Sequence, residues 1–180
     1  MTLPEILLLG IGLSMDAAGV TIANALAYRC EKREQLTMAL LFGGFQGLMP
    51  LLGYLTGGLF AALVHRFSGP VTLAALGFVG GKMILEGCRV PQTADRPQSL
   101  TPATLLLQAV STSIDAFAVG LSLLALEVPI AKASALIALT TLLCSLTAAR
   151  LGRRFGPALG GKAQLLGGVI LLLIAFKAVL

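Results

Sequence analysis

The chain has 180 residues, 57% of them hydrophobic and only 12% charged, with a mean hydropathy of +0.93 and a formal net charge of +5. A soluble domain carries about 25% charged residues, so this composition excludes an ordinary water-soluble globule and demands a lipid bilayer as partner. No acidic or basic block marks a nucleic-acid surface, and the positive charge is spread over short loops, where it acts as a topology signal.

A helix that crosses the hydrocarbon core needs roughly 20 apolar residues. The stretches that qualify are Leu3–Tyr28, Leu36–Val64, Pro70–Cys88, Pro102–Leu126, Lys132–Leu151 and Lys162–Leu180, with breaks at Arg29–Gln35, His65–Gly69, Arg89–Thr101, Glu127–Ala131 and Gly152–Gly161. No Lys or Arg precedes the first run and no convincing Ala-x-Ala site follows it, so it reads as a retained span and not a signal peptide. The third break, with Pro91, Asp95 and Pro97, is the only one polar and long enough to be a linker. The predicted fold is therefore an all-α polytopic membrane protein of six transmembrane helices. It forms one integral membrane domain over 1–180, with a first three-helix repeat at 1–90, a cytoplasmic linker at 91–101 and a second repeat at 102–180.

Arg29, Lys32, Arg33, Arg89, Arg96, Arg150, Arg153, Arg154 and Lys162 fall in the odd-numbered loops, against Arg66 and Lys132 on the other side. The positive-inside rule places the odd loops in the cytoplasm and both termini outside. With three spans per half, the halves are inverted, as in many transporters. Two internal matches support a repeat. Ser14-Met15-Asp16-Ala17 returns as Ser113-Ile114-Asp115-Ala116, and the interval from Gly69-Pro70 to Gly80-Gly81 returns between Gly156-Pro157 and Gly167-Gly168.

The chemistry concentrates at the first of these matches. A carboxylate at bilayer depth is costly and normally faces a partner or a water-filled cavity. Asp16 and Asp115 each lie roughly 18–20 Å along the helix from the ends of their spans, near the midplane. Helical spacing aligns Gly12, Asp16, Gly19 and Ala23 on one face of the first span, where small residues admit a neighbouring helix. In the fourth span Gln108, Ser111, Asp115, Ala118 and Ser122 form a polar stripe.

Gln46 in the second span has Pro50 four residues on, so its main-chain carbonyl loses the usual helical donor. It either joins an oxygen-rich spot or belongs to a kink satisfied by a neighbouring hydroxyl. Asp16 and Asp115, with Gln46, Asn24, Ser111 and Ser113 as secondary candidates, offer carboxylate, amide and hydroxyl oxygens that suit hard divalent cations. Lys82 and Glu86, one turn apart in the third span, are either an internal ion pair or charge partners of an empty site. Cys30, Cys88 and Cys144 form neither a disulfide framework nor a zinc cluster. His65, beside Arg66 in a loop, suits a surface role better than ligation.

The motifs Gly12-Leu13-Ser14-Met15-Asp16-Ala17, Phe42-Gly43-Gly44-Phe45-Gln46 with Met49-Pro50-Leu51, Gly80-Gly81-Lys82-Met83-Ile84-Leu85-Glu86-Gly87, and Thr112-Ser113-Ile114-Asp115-Ala116-Phe117-Ala118-Val119-Gly120 run through nearly the whole chain in order. With them the sequence resembles the MntP-type manganese exporters of bacteria. The resemblance implies an inner-membrane exporter with Mn²⁺ as transported substrate and no cofactor, and it matches Asp16 and Asp115 to the family's intramembrane aspartates. Some members carry Glu where this chain has Gln46, and an aromatic often follows the first Ala where this chain has Ala18. These departures bear on ion preference.

No GxxxxGK[ST] motif occurs, so an ion gradient or the membrane potential would supply the energy. Other readings are an exporter of another divalent cation and an intramembrane aspartyl protease, in which two membrane aspartates share a proton. Family knowledge gives such proteases a Gly-x-Gly-Asp signature, whereas here the aspartates follow Ser-Met and Ser-Ile. A membrane scaffold would gain little from paired midplane carboxylates.

Overall fold

The computed structural model describes residues 2–28, 30–56, 70, 73–74, 76–82, 84–85, 88, 100–125, 128–159 and 163–177. The described residues are helical throughout, apart from short connections. The helices are α1 (Leu3–Tyr28), α2 (Lys32–Thr56), α3 (described at 76–82, with further helical residues between 70 and 88), α4 (Pro102–Ala125), α5 (Ile130–Leu159) and α6 (Ala163–Lys177).

Local chemistry sets the helix starts. Glu5 accepts the Thr2 N–H at 2.8 Å, and Glu34 accepts the Glu31 N–H at 2.8 Å. Each is the carboxylate half of a capping box, which satisfies an amide that the first turn leaves without a partner. At α4, the Thr104 N–H donates to Thr101 Oγ1 at 3.3 Å and Pro102 occupies the first helical position, where its missing N–H costs nothing.

Two boundaries differ from expectation. α2 begins at Lys32, not Leu36, because the Glu31–Glu34 cap recruits the polar residues into its first turn. α5 runs for 30 residues to Leu159, through most of the Gly152–Gly161 stretch expected to be a break. Gly152 lets α5 continue against α1, where a Cβ would sit 2.8 Å from the Ala25 Cβ and 2.9 Å from the Ile22 carbonyl, while Arg153 and Arg154 stay exposed.

Six spans were expected. Among the described residues four helices, α1, α2, α4 and α5, are long and apolar enough to cross a membrane, and α6 contributes the shorter apolar stretch Leu165–Phe176. The third predicted span, Pro70–Cys88, is described in part, as α3, and the 91–101 linker lies largely outside the described residues.

The surface is apolar and the interior partly polar, the reverse of a soluble protein. Leu8, Leu55, Phe78 and Leu173 are exposed, whereas Thr21, Asn24, Gln46, Gln108, Ser113, Thr141 and Ser145 are fully buried. That distribution fits a solvent of lipid tails, with helix association driven by small residues and buried polar contacts.

α1 packs most extensively on α5, α4 packs on α2, and α2 and α5 cross between them. The close approaches occur at glycines. A Cβ on Gly43 would lie 2.9 Å from the Ala138 carbonyl, and one on Gly47 2.7 Å from the Ala138 Cβ. Gly53 and Gly120 meet the backbones of Phe117 and Pro50. α6 lies against α1, where Gly19 faces Ile174, and crosses α3 at Gly80 and Gly168, where a Cβ on Gly80 would lie 2.9 Å from the Gly168 carbonyl and one on Gly168 2.8 Å from the Gly80 carbonyl. Gly12, expected on a packing face with Gly19, has nothing near its Cβ position.

Candidate metal site

α1 and α4 run antiparallel. Ile6 clusters with Leu123, Leu13 with Ala116, and Asn24 bonds to Gln108, so residue numbers fall along one helix as they rise along the other. This register puts Asp16 level with Asp115. Asp16 is half-buried, Asp115 is more exposed, and each has an interaction partner within the protein. The Asp115 carboxylate also accepts the Ala116 N–H at 2.9 Å.

At about 100° per residue, Asp16 is turned some 80° from Asn24, and Asp115 about 60° from the mean of the face that Gln108, Ala116 and Leu123 present to α1. The two rotations have the same sense. In antiparallel neighbours that carries both carboxylates to the same flank of the seam, the one on which α6 meets Gly19.

The secondary candidates separate. Asn24 is seven to eight residues from the aspartate level, roughly 10–12 Å along the axis, and its amide is already engaged. Asn24 Nδ2 donates to Gln108 Oε1 at 2.8 Å, Gln108 Nε2 donates back to Asn24 Oδ1 at 3.2 Å, and Met38 Sδ lies 3.8 Å from Asn24 Nδ2. Both residues are 0% exposed. This amide clasp closes the seam between the aspartates and the Tyr28 end of α1.

Gln46 is buried on the other flank, where its Nε2 donates to the Leu13 carbonyl at 3.2 Å and its Oε1 has no partner among the described residues. Ser111 and Ser113 donate to the Leu107 and Ala109 carbonyls one turn back, at 2.7 and 2.6 Å, which leaves their oxygens able to accept only. Lys82 is exposed on α3 and has an interaction partner, while Glu86 lies outside the described residues.

Among the described residues no three His, Cys, Asp or Glu side chains gather in one place. Any cation held here would meet two carboxylates and otherwise neutral oxygens. A cavity of about 820 Å³ lies elsewhere, at the start of α2 and the far end of α5, lined by Lys32, Gln35, Leu36, Leu146, Arg150, Arg153 and Arg154. Its four cations repel a metal ion, so it is not the site.

Comparison with known proteins bears on the same segments. The family model described as "Putative manganese efflux pump" matches residues 29–179. The chain belongs to that family. It is 45% identical over 183 residues to the "Putative manganese efflux pump MntP" of Ruminiclostridium cellulolyticum, covering 98% of this chain and 95% of that one. The "Putative manganese efflux pump MntP 1" of Wolinella succinogenes is 40% identical over 98% of this chain and 96% of its own, and the Methanosarcina barkeri protein is 37% identical over 94% and 91%. No solved structure matches the chain. Family membership and the four long apolar helices together make this a multi-pass membrane protein.

Sequence reasoning did not single out Ser134, Thr141 and Ser145, which are buried on α5 with no partner for their hydroxyls among the described residues. Their spacing of seven and four residues was the available signal. It is hard to notice because a hydroxyl in an apolar helix is usually satisfied by its own backbone.

Proposed function

We propose that the chain exports Mn²⁺ from the cytoplasm across the inner membrane as a secondary transporter, and is not an enzyme. The observation that carries the reading is the antiparallel α1–α4 seam, which sets Asp16 and Asp115 at one level and on one flank in a chain of the manganese efflux family. Two carboxylates and a few neutral oxygens form a hard, oxygen-only ligand set of the kind that Mn²⁺ and its close relatives favour. Asp16 and Asp115 hold the ion, Ser111, about 40° round α4 from Asp115, adds an accepting oxygen, and Lys82 with Glu86 are candidate charge partners. Ser113, about 160° round the helix from Asp115, lies on the side that meets α2 and is not placed to join them. Gln46 lies at the same level on the opposite flank, and Asn24 serves the seam.

In this reading six helices cross the membrane as two inverted three-helix halves, with both termini outside. The packing pattern supports it. α1 on α5 corresponds to α4 on α2, and the α2–α5 and α3–α6 crossings each pair equivalent elements. The Gly80–Gly168 contact joins the two glycine pairs that the sequence repeat aligns.

The export is proposed to be coupled to protons. A dication favours the ionised form of both carboxylates at once, so binding on one side releases protons and release on the other takes them up. In the alternative, uniport, the carboxylates stay ionised and Lys82 neutralises the empty site.

The test is Mn²⁺ flux in vesicles that contain only this protein. Asp16→Asn and Asp115→Asn are each expected to abolish manganese resistance in cells and flux in vesicles at unchanged protein level. Either variant exporting at the original rate refutes the site.

A further inference from the structure

We propose that the basic cavity between the start of α2 and the far end of α5 is a binding site for an anionic phospholipid. The cavity holds the phosphate headgroup, and the acyl chains lie along exposed leucines of the same two helices. The site involves no metal, so the inference goes beyond the export reading and does not depend on it.

Helix register builds the cavity. Gly43 of α2 faces Ala138 and Leu142 of α5, and Gly47 faces Ser134 and Ala138, so the two helices are antiparallel. That register carries Leu36 to about the level of Leu146, and Lys32 to about that of Arg150. The glycines that seat α2 on α5 stop short of this end, and a cavity of about 820 Å³ opens there. Its volume falls within the range of small-molecule sites, about 300–1,000 Å³. On α5, Leu146, Arg150, Arg153 and Arg154 share an arc of about 100°; on α2, Lys32, Gln35 and Leu36 do the same. Two loops far apart in sequence thus aim four cations at one space.

Nothing of opposite sign answers them. No carboxylate lines the cavity, Glu31 and Glu34 included. Glu34 is turned about 160° from Lys32, and its carboxylate accepts the Glu31 N–H at 2.8 Å. Gln35 is turned inward and its Nε2 donates to the Cys30 carbonyl at 2.9 Å, so it forms part of the floor. Lys32 opens α2, where the helix dipole disfavours a cation and the first-turn amides add partial positive charge. A bound anion removes that repulsion and uses the dipole favourably.

Position selects the occupant. Counted from Ile130, about 20 residues of α5 span roughly 30 Å, the thickness of the hydrocarbon core. Arg150, Arg153 and Arg154 therefore reach the headgroup layer. In the topology proposed above this layer faces the cytoplasm. Basic pockets between spanning helices suit anionic headgroups, and the guanidinium fork pairs with two phosphate oxygens at once. Toward the middle of the span, Leu139 and Leu143 fall within the same arc of α5, and Leu40 lies about 40° round α2 from Leu36. These three leucines are 52–54% exposed. A soluble anion engages the cations alone. A phospholipid engages both, since its chains continue from the phosphate along the leucines.

The experiment uses the full chain in detergent without Mn²⁺. It is titrated with phosphatidylglycerol and, separately, with phosphatidylethanolamine, and bound lipid is read by native mass spectrometry. Wild type is expected to hold one phosphatidylglycerol about tenfold more tightly than phosphatidylethanolamine. Arg150→Gln with Arg153→Gln should weaken phosphatidylglycerol about thirtyfold, near 2 kcal/mol. The charge-matched control, Arg33→Gln with Lys132→Gln, removes two cations outside the cavity and should leave binding nearly unchanged. All four positions are exposed, and thermal unfolding without lipid reports whether the variants fold. If the first pair does not fold, Lys32→Gln with Arg154→Gln takes its place with the same expected loss. Equal retention of the two lipids by wild type would overturn the inference. Equal weakening in test and control pairs would also overturn it, by assigning the effect to diffuse surface charge. Excess inorganic phosphate should leave the lipid in place; displacement of the lipid by phosphate would make this a soluble-anion site and refute the lipid assignment. No Mn²⁺ flux is measured, so failure here leaves the export reading intact, and failure of export leaves this site intact.

Discussion

The Asn24–Gln108 clasp gives the sharpest energetic test. Gln108→Leu removes two hydrogen bonds between α1 and α4 and strands the Asn24 amide in a fully buried position, with only the Met38 sulfur 3.8 Å away as a weak acceptor contact. Each net hydrogen bond is worth about 1 kcal/mol, and a stranded buried amide costs about 1–3 kcal/mol more. Membrane measurements run lower, averaging about 0.6 kcal/mol per contact. A single substitution should therefore destabilise by about 2 kcal/mol, near thirtyfold in the folding equilibrium. Asn24→Leu should cost a similar amount for the mirror-image reason.

The double variant removes both amides, leaves nothing stranded and adds apolar contact, so its loss should be about 1 kcal/mol or less. Instead of summing, the two changes should thus fall short of additivity by about 3 kcal/mol. Equilibrium unfolding in bicelles, with the four proteins of the cycle side by side, measures this directly. A double variant that loses the sum of the singles would show that the amides act independently and that the clasp is not a coupled unit.

Gly120→Ala drives a Cβ into the backbone of Pro50 and should destabilise by about 1–3 kcal/mol. Gly44→Ala, with nothing near the added carbon, should be neutral or slightly stabilising in the same unfolding assay. Burial, and secondarily the Glu34 carboxylate, push the Cys30 thiol up to about 12. An acid with a raised pKa stays protonated until the pH passes that value, so Cys30 should remain unreactive to maleimide between pH 7 and 9 while exposed Cys88 labels; rapid Cys30 labelling in that window would contradict its burial. Cysteines placed at Lys32 and Thr101 should label from the same side of the membrane, and one at Thr2 from the other; Lys32 and Thr101 on opposite sides would refute the inverted halves.

The helices and the aspartates were legible in sequence because both are written locally. An apolar run of sufficient length can only be a helix in lipid, since every backbone amide must be satisfied within its own segment. A lone carboxylate in such a run, repeated a half-chain later, is conspicuous at Asp16 and Asp115 without any coordinates. Helix ends were less legible. The Glu34 cap and the Gly152 contact extend α2 and α5 past boundaries set by polarity alone, because capping and packing outweigh the composition of a few residues.

What only the tertiary structure decided was which polar groups meet. Asn24 and Gln108 are 84 residues apart, and their pairing depends on the register of two antiparallel helices, which no local pattern encodes. That register withdraws Asn24 from the aspartate level and assigns it to the seam. The structure likewise divides polar residues that look equivalent in sequence. Thr140 is satisfied by its own turn, and Thr141 beside it faces the bundle centre without a partner among the described residues. A rotation of about 100° about the helix axis, meaningful only once α1 and α2 are in place around α5, separates a packing residue from one that needs a ligand.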